Sequence, residues 1–182
     1  MQKTGLLAIA VLDRLKDSLF ALGPLGAFVI ALVDSFIPLP GGADLAVIVM
    51  SIRAPELAVV TVLAATAGSV IGATLLYLGA RKAGAAALTR VSPERRERVE
   101  NLLGKYDVLA IAVAAMLPPP FPFTVFVITA AALQYSRKRL LGAVAAGRLI
   151  RFTILGLLAM VYGRHILRLA KLPAVRWSII GL

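Results

Sequence analysis

Cysteine is absent from the 182-residue chain, and histidine occurs once, as His165. The first absence excludes disulfides, thiol catalysis and thiolate metal sites, and the second excludes a histidine metal cluster. Nor is there a nucleophile–base pair, a phosphate-binding glycine loop or a metal motif, and Gly41-Gly42 alone is too short a signal for nucleotide binding. The expectation is a protein that is not an enzyme and needs no cofactor. Charge is scarce, at 16% of residues against the usual ~25%, and acidic charge is scarcer still: nine Asp+Glu stand against 20 Lys+Arg, a formal net charge of +11. Apolar residues take the space, at 60% against ~45–50% in soluble domains, with a mean hydropathy of +0.90. A 19.2 kDa domain in water exposes too large a share of its surface to hide so much. An all-α integral membrane protein follows, with residues 1–182 as a single membrane domain. The basic excess reads as loops facing anionic headgroups on the cytoplasmic side. Because those residues are split among loops, nucleic acid is not an expected partner. Membrane lipids are, and a homo-oligomer stays open.

Residues 1–20 imitate a signal peptide, but Asp13, Arg14, Lys16 and Asp17 follow the apolar run where a small-residue cleavage site would stand. Leu12, Leu15 and Leu19 recur at helical spacing, which predicts an amphipathic helix in the membrane interface. Residues 57–80 hold 24 residues without a charge, enough for the ~20 that a spanning helix needs, and their Gly68, Gly72 and neighbouring small residues read as a close helix-packing face. Residues 81–105 hold seven basic and three acidic residues. Ser92 as N-cap, Pro93 at N1 and Gly104 as a stop predict a short cytoplasmic amphipathic helix, with Val99, Leu102, Leu103 and Tyr106 on its apolar stripe.

Residues 108–136 run 29 residues without a formal charge, over ~40 Å as one helix against a hydrocarbon core of ~30 Å. Pro118, Pro119, Pro120 and Pro122 forbid that helix, since each removes a backbone donor and clashes with the preceding turn. Two arms, 108–117 and 123–136, are each too short to cross, so a re-entrant hairpin is expected. The same reasoning applies to residues 21–52, where Pro38, Pro40, Gly41 and Gly42 break an apolar stretch whose second arm is 45–52. Irregular backbone at that depth needs protein or water around it. The two halves form a repeat: Gly68 precedes Gly147, and Thr74 precedes Thr153, by 79 positions. Each half reads arm, break, arm, short polar loop, long helix (57–80 and 140–162). The expected organisation is 1–20 interfacial, 21–80 repeat 1, 81–105 cytoplasmic, 106–163 repeat 2 and 164–182 a basic tail. If each hairpin re-enters, each unit crosses once, the repeat is inverted, and paired broken segments point to a transport site between halves. The alternative is chance similarity between two apolar halves.

Asp34 and Asp44 flank the first break, and a carboxylate in hydrocarbon costs ~2.5–3.5 kcal/mol or more. Either could carry a proton, bind a cation or pair with an arginine; Asp44 could instead cap a helix starting near Leu45. Arg148 and Arg151 share one face of the last long helix, Arg148 roughly 12 Å along it counting from Leu140. An arginine there needs a carboxylate, a phosphate or water, unless the helix starts deeper and both snorkel to the interface. The substrate or proton path is thus expected at Asp34, Asp44, Arg148 and Arg151. Helix N-termini beside the breaks offer a further seat for phosphate or carboxylate. Phe121, Phe123 and Phe126 read either as a lipid path or as packing.

An acidic residue before a Pro-x-Pro-Gly break, the helix AATAGSVIGATLLYLGARKAG and the second Pro-rich break together resemble the DedA superfamily, also called the SNARE-associated or VTT-domain family, over roughly residues 20–163. The resemblance implies two re-entrant hairpins facing each other as an inverted repeat. It also implies lipid movement across the bilayer of a bacterial-type cell membrane, with phospholipid or polyprenyl-phosphate as cargo and proton coupling as an option. Asp34 is similar to the family's acidic position before the break, and Asp44 to its second acidic position. The family's R-x-x-P-x-x-R run is not matched: aligned on Pro118, Ala115 and Phe121 stand at the arginine positions. A small-ion or proton-coupled transporter and a structural assembly protein are the alternative functions.

Overall fold

A computed structural model describes residues 22–37, 42–84, 92–117 and 123–170, with side chains to residue 163. All its regular elements are helical: α1 Pro24–Asp34, α2 Gly42–Arg53, a 3-10 turn Pro55–Leu57, α3 Ala58–Ala83, α4 Pro93–Tyr106, α5 Val108–Met116, α6 Phe123–Ala132 and α7 Arg137–Ala170. The expected interfacial segment 1–20 and the break residues Pro38, Pro40, Gly41, Pro118, Pro119, Pro120 and Pro122 lie outside the described residues. Gly42 does not: it is the first residue of α2 and so belongs to the arm, not the break.

Two segments are long and apolar enough to cross a membrane, Pro55–Ala83 and Arg137–Gly163. The other helices of the apolar stretches have 11, 12, 9 and 10 residues, or roughly 14–18 Å at 1.5 Å per residue, well short of ~30 Å. The proline after α5 acts one residue early: Leu117 is already extended, at φ −69° and ψ 139°, because a following proline disfavours helical backbone. α1 ends where the Ser35 hydroxyl, donating, is shared between the Ala31 carbonyl at 3.1 Å and the Ser69 carbonyl of α3 at 3.3 Å.

Small residues set the packing. A methyl on Gly68 would overlap the Phe28 carbonyl oxygen, and one on Gly72 would stand 2.6 Å from the Leu32 carbonyl and from Ser35 Cβ. α1 therefore lies parallel to α3 at backbone contact. Gly147 meets the Ala112 carbonyl and Ala115 in the same way, and Arg151 one turn on meets the Leu117 carbonyl, so α5 lies parallel to α7. α2 runs beside α7 in the same direction, with Asp44 at Arg151, Ser51 at Gly156 and Ile52 at Gly163. α3 and α7 are antiparallel: Val62 near the start of α3 meets Gly156, and Tyr77 near its end meets Tyr135 just before α7. α6 packs on α3 and α2 on α7. The buried core divides into one cluster around Tyr77, Ile111, Val127 and Leu140 and another around Ala31, Val47, Ala65 and Phe152.

Leu25, Val59, Leu63, Ile71, Leu157 and Val161 are exposed, while Ser35, Ser51, Thr61, Ser69, Thr129, Arg148 and Arg151 are buried. That is the inside-out distribution suited to lipid, where polar groups face the bundle. Several boundaries differ from expectation. α4 runs through Gly104 and ends at Asp107, whose φ is 49°. Gly104 is exposed with nothing near it, so nothing there breaks the helix. Ser92 precedes Pro93 but makes no side-chain capping bond. Val99 and Leu103 are buried as expected, whereas Tyr106 is exposed. α7 begins three residues before Leu140 and runs to Ala170.

Candidate functional site

Arg151 is the joint of the molecule. Its Nε donates to Asp44 Oδ1 at 2.9 Å and its Nη2 to Asp44 Oδ2, a side-on bidentate pair with α2. Its Nη1 donates to the Leu117 carbonyl, with the Met116 carbonyl at 3.5 Å, at the end of α5. Both partners are well covered, with side-chain exposures of 8% for Arg151 and 17% for Asp44. The last carbonyls of a helix lack intrahelical donors and carry its negative dipole end, so a guanidinium suits them. One side chain thereby ties the residues just before the second break to those just after the first. Asp44 sits in the first turn of a helix starting at Gly42, not at the cap of one starting near Leu45; its carboxylate serves Arg151.

Arg148, one turn earlier, is 6% exposed. Its guanidinium lies over the Phe123 ring at 4.7 Å and near the Phe152 ring at 5.8 Å, within the range of cation–π attraction. Among the described residues it makes no hydrogen bond or ion pair, and its buried Nε has no partner. Asp34 ends α1, half-buried, and both it and Asp44 are within electrostatic range of Arg148. All four expected residues thus converge, with Arg151–Asp44 in direct contact. Both arginines are buried within the bundle, 11 and 14 residues after the start of α7. Phe123 and Phe126 are buried, Phe123 against Arg148; Phe121 lies outside the described residues.

The repeat held a signal for this. At the 79-residue offset Arg148 stands where the first half has Ser69, and Arg151 where it has Gly72. Ser69 and Gly72 are the α3 residues that meet the end of α1, so the offset points Arg151 to the end of α5. The carbonyl acceptors themselves carry no side-chain signature.

A second polar cluster lies at the other end of α3. Arg81 Nη1 donates to the Tyr77 hydroxyl at 2.9 Å, which donates to the Tyr135 carbonyl at 2.5 Å. The Tyr135 hydroxyl donates to Asp107 Oδ1, and Arg139 pairs with Asp107 at 3.5 Å. Partial burial, then the hydrogen bond to the Asp107 carboxylate, push the Tyr135 phenol up to about 12. No group of His, Cys, Asp and Glu able to hold a metal occurs among the described residues. A family model for the VTT domain matches residues 39–160. No curated protein and no solved structure matches the chain.

Proposed function

The chain belongs to the VTT-domain family, the DedA or SNARE-associated superfamily of membrane proteins, and from that premise we propose that it carries lipids with an anionic headgroup across the bilayer. The headgroup passes between two re-entrant hairpins, α1–α2 and α5–α6, while the tails stay in lipid. The observation that carries this reading is Arg151, bound at once to Asp44 and to the Leu117 carbonyl. Irregular backbone and ionised groups at that depth are tolerable only where protein or water surrounds them.

The hairpin reading is supported by where the chain leaves and returns. Asp107, before α5, is joined to Tyr135 and Arg139, after α6, so this pair of short helices starts and finishes at one end. Arg151, which holds the far end of α5, lies 14 residues into α7, roughly 21 Å along it. The inverted repeat is supported by direction: α1 is parallel to α3 and α5 to α7, while α3 and α7 are antiparallel. Reciprocal packing of α2 on α7 and α6 on α3 fits a pseudo-two-fold relation.

The Asp44–Arg151 pair is then the closed state of the path. Protonation of Asp44, or exchange of its carboxylate for a lipid phosphate, releases the hairpin ends from each other. A multi-pass protein of the cell membrane, with phospholipid or polyprenyl-phosphate cargo, is the setting that fits. The test is translocation of labelled phospholipid by the purified protein in liposomes, with and without a pH gradient. Asp34→Asn and Asp44→Asn are expected to slow it by roughly an order of magnitude. Proton or cation flux without lipid movement would replace lipid transport by ion transport, and unaltered translocation in both variants would remove the site.

A further inference from the structure

The two buried arginines differ in what holds them, and that difference assigns them separate tasks. Arg151 spends its fork on Asp44 and on the end of α5. Arg148, nine-tenths buried, has the Phe123 and Phe152 rings against it, makes no hydrogen bond or ion pair among the described residues, and has a buried Nε without an acceptor. Asp44 turns both carboxylate oxygens to Arg151, and Asp34 and Asp44 act on Arg148 through their charge. A guanidinium has five donors and is always charged. The buried Nε has no acceptor; leaving a buried donor of a charged group unsatisfied is costly, and an arriving oxyanion removes that cost.

The surroundings favour the same ligand. Phe123, on which Arg148 stacks, is the first residue of α6. The first-turn amides of a helix lack intrahelical acceptors and form its positive dipole end, which is a ready seat for phosphate. Arg148 and the start of α6 thus bring donors and positive charge to one place, beside the path between the hairpins.

We propose that Arg148 is the receiving group for a phosphate oxyanion, seated between its guanidinium and the N-terminus of α6, and that Arg151 is a positioning residue that never takes the ligand in the closed state. This deepens the lipid-transport reading and rests on it for the source of the phosphate.

The test uses the full chain in nanodiscs, with dioctanoyl phosphatidic acid as probe, dioctanoylglycerol as the phosphate-free control and inorganic phosphate as competitor. Thermal unfolding is followed on the same samples. Arg148→Leu is expected to weaken phosphatidic acid binding at least tenfold while its Tm stays level or rises. Arg148→Lys, which keeps a charge but not the fork, is expected to bind with intermediate affinity. Arg151→Leu is expected to lower Tm by about 5 °C or more. Competition by millimolar inorganic phosphate would make free phosphate a ligand too, and its absence would assign the site to lipid; either result keeps Arg148 as receiver. Wild-type affinity in Arg148→Leu overturns the proposal. So does loss of binding accompanied by a fall in Tm matching that of Arg151→Leu, since Arg148 would then be structural. Binding by the wild type without translocation in liposomes leaves this assignment standing and defeats lipid transport, so the two readings fail separately.

Discussion

Asp44 and Arg151 are separated by 107 positions in sequence and joined by two hydrogen bonds. Breaking a buried pair from one side leaves an uncompensated charge, which typically costs about 3–5 kcal/mol, whereas replacing both partners by apolar groups is often neutral. Arg151→Leu is therefore expected to lose about 3 kcal/mol in denaturant unfolding in detergent, and Asp44→Leu combined with Arg151→Leu to recover most of it. Additive losses in that double-mutant cycle would mean the pair is not coupled. Tyr135 gives a pH signature away from the membrane interior. Its phenol is raised from 10.0 to about 12 in the folded protein. The folded state then holds its proton where the unfolded chain releases it, so the stabilisation is complete below pH 10 and is lost as pH rises through about 12. Tyr135→Phe is expected to flatten the alkaline fall of Tm over that window, and an unchanged slope would clear Tyr135 of the effect. Asp34, Asp44, Arg148 and Arg151 were legible in the sequence because charges are rare in apolar stretches. Which arginine takes which partner was not, because Met116 and Leu117 offer only main-chain oxygens and any residue has those.

Helix against helix, the fold depends on glycines whose missing side chains admit another backbone. Gly68 and Gly147 each face a carbonyl of the neighbouring short helix, Phe28 and Ala112. Gly68→Ala and Gly147→Ala are each expected to destabilise by about 1–3 kcal/mol, the usual cost of overpacking. Gly79 has nothing within 4 Å of an added methyl, and Gly79→Ala is expected to gain up to about 1 kcal/mol from helix propensity. Parallel thermal unfolding of the three variants checks this, and equal behaviour of all three would refute the close approach. Small-residue spacing announced α3 as a packing helix. Prolines announced where the short helices stop, since Pro118 acts on Leu117 through local sterics alone. The end of α4 was misplaced because Gly104, though a frequent terminator, faces open space, and the turn is made at Asp107 instead. A residue's preference marks where a helix can end; neighbouring elements decide where it does.

For the molecule as a whole, two antiparallel long helices carry two pairs of short ones, and the order short, short, long was readable twice in the sequence. The reciprocal packing of α2 on α7 and α6 on α3 was not, because alanine and valine line both kinds of surface and mark no partner. The direction of the helices makes a definite topology. Arg81 and Lys82 end α3, Arg137, Lys138 and Arg139 begin α7, and the cluster of Tyr77, Asp107, Tyr135 and Arg139 holds these ends together. Under the proposed arrangement the positive-inside rule assigns that end to the cytoplasm. α7 has 34 residues, roughly 50 Å, long enough to cross ~30 Å of hydrocarbon in one continuous piece, and under the proposed arrangement its two ends belong on opposite sides. Under that arrangement Arg164 and Arg168, in the last turns of α7, belong to the side that basic residues avoid. The larger basic set at the other end, Arg81 to Arg139, outweighs them in that arrangement, because the bias is read over short loops near the spans. A reporter fused at residue 135 is accordingly expected to be active only in the cytoplasm, and one at 182 only outside. Both reporters on one side would mean that α7 does not span, and with it the inverted arrangement and the path at Arg151 would fall.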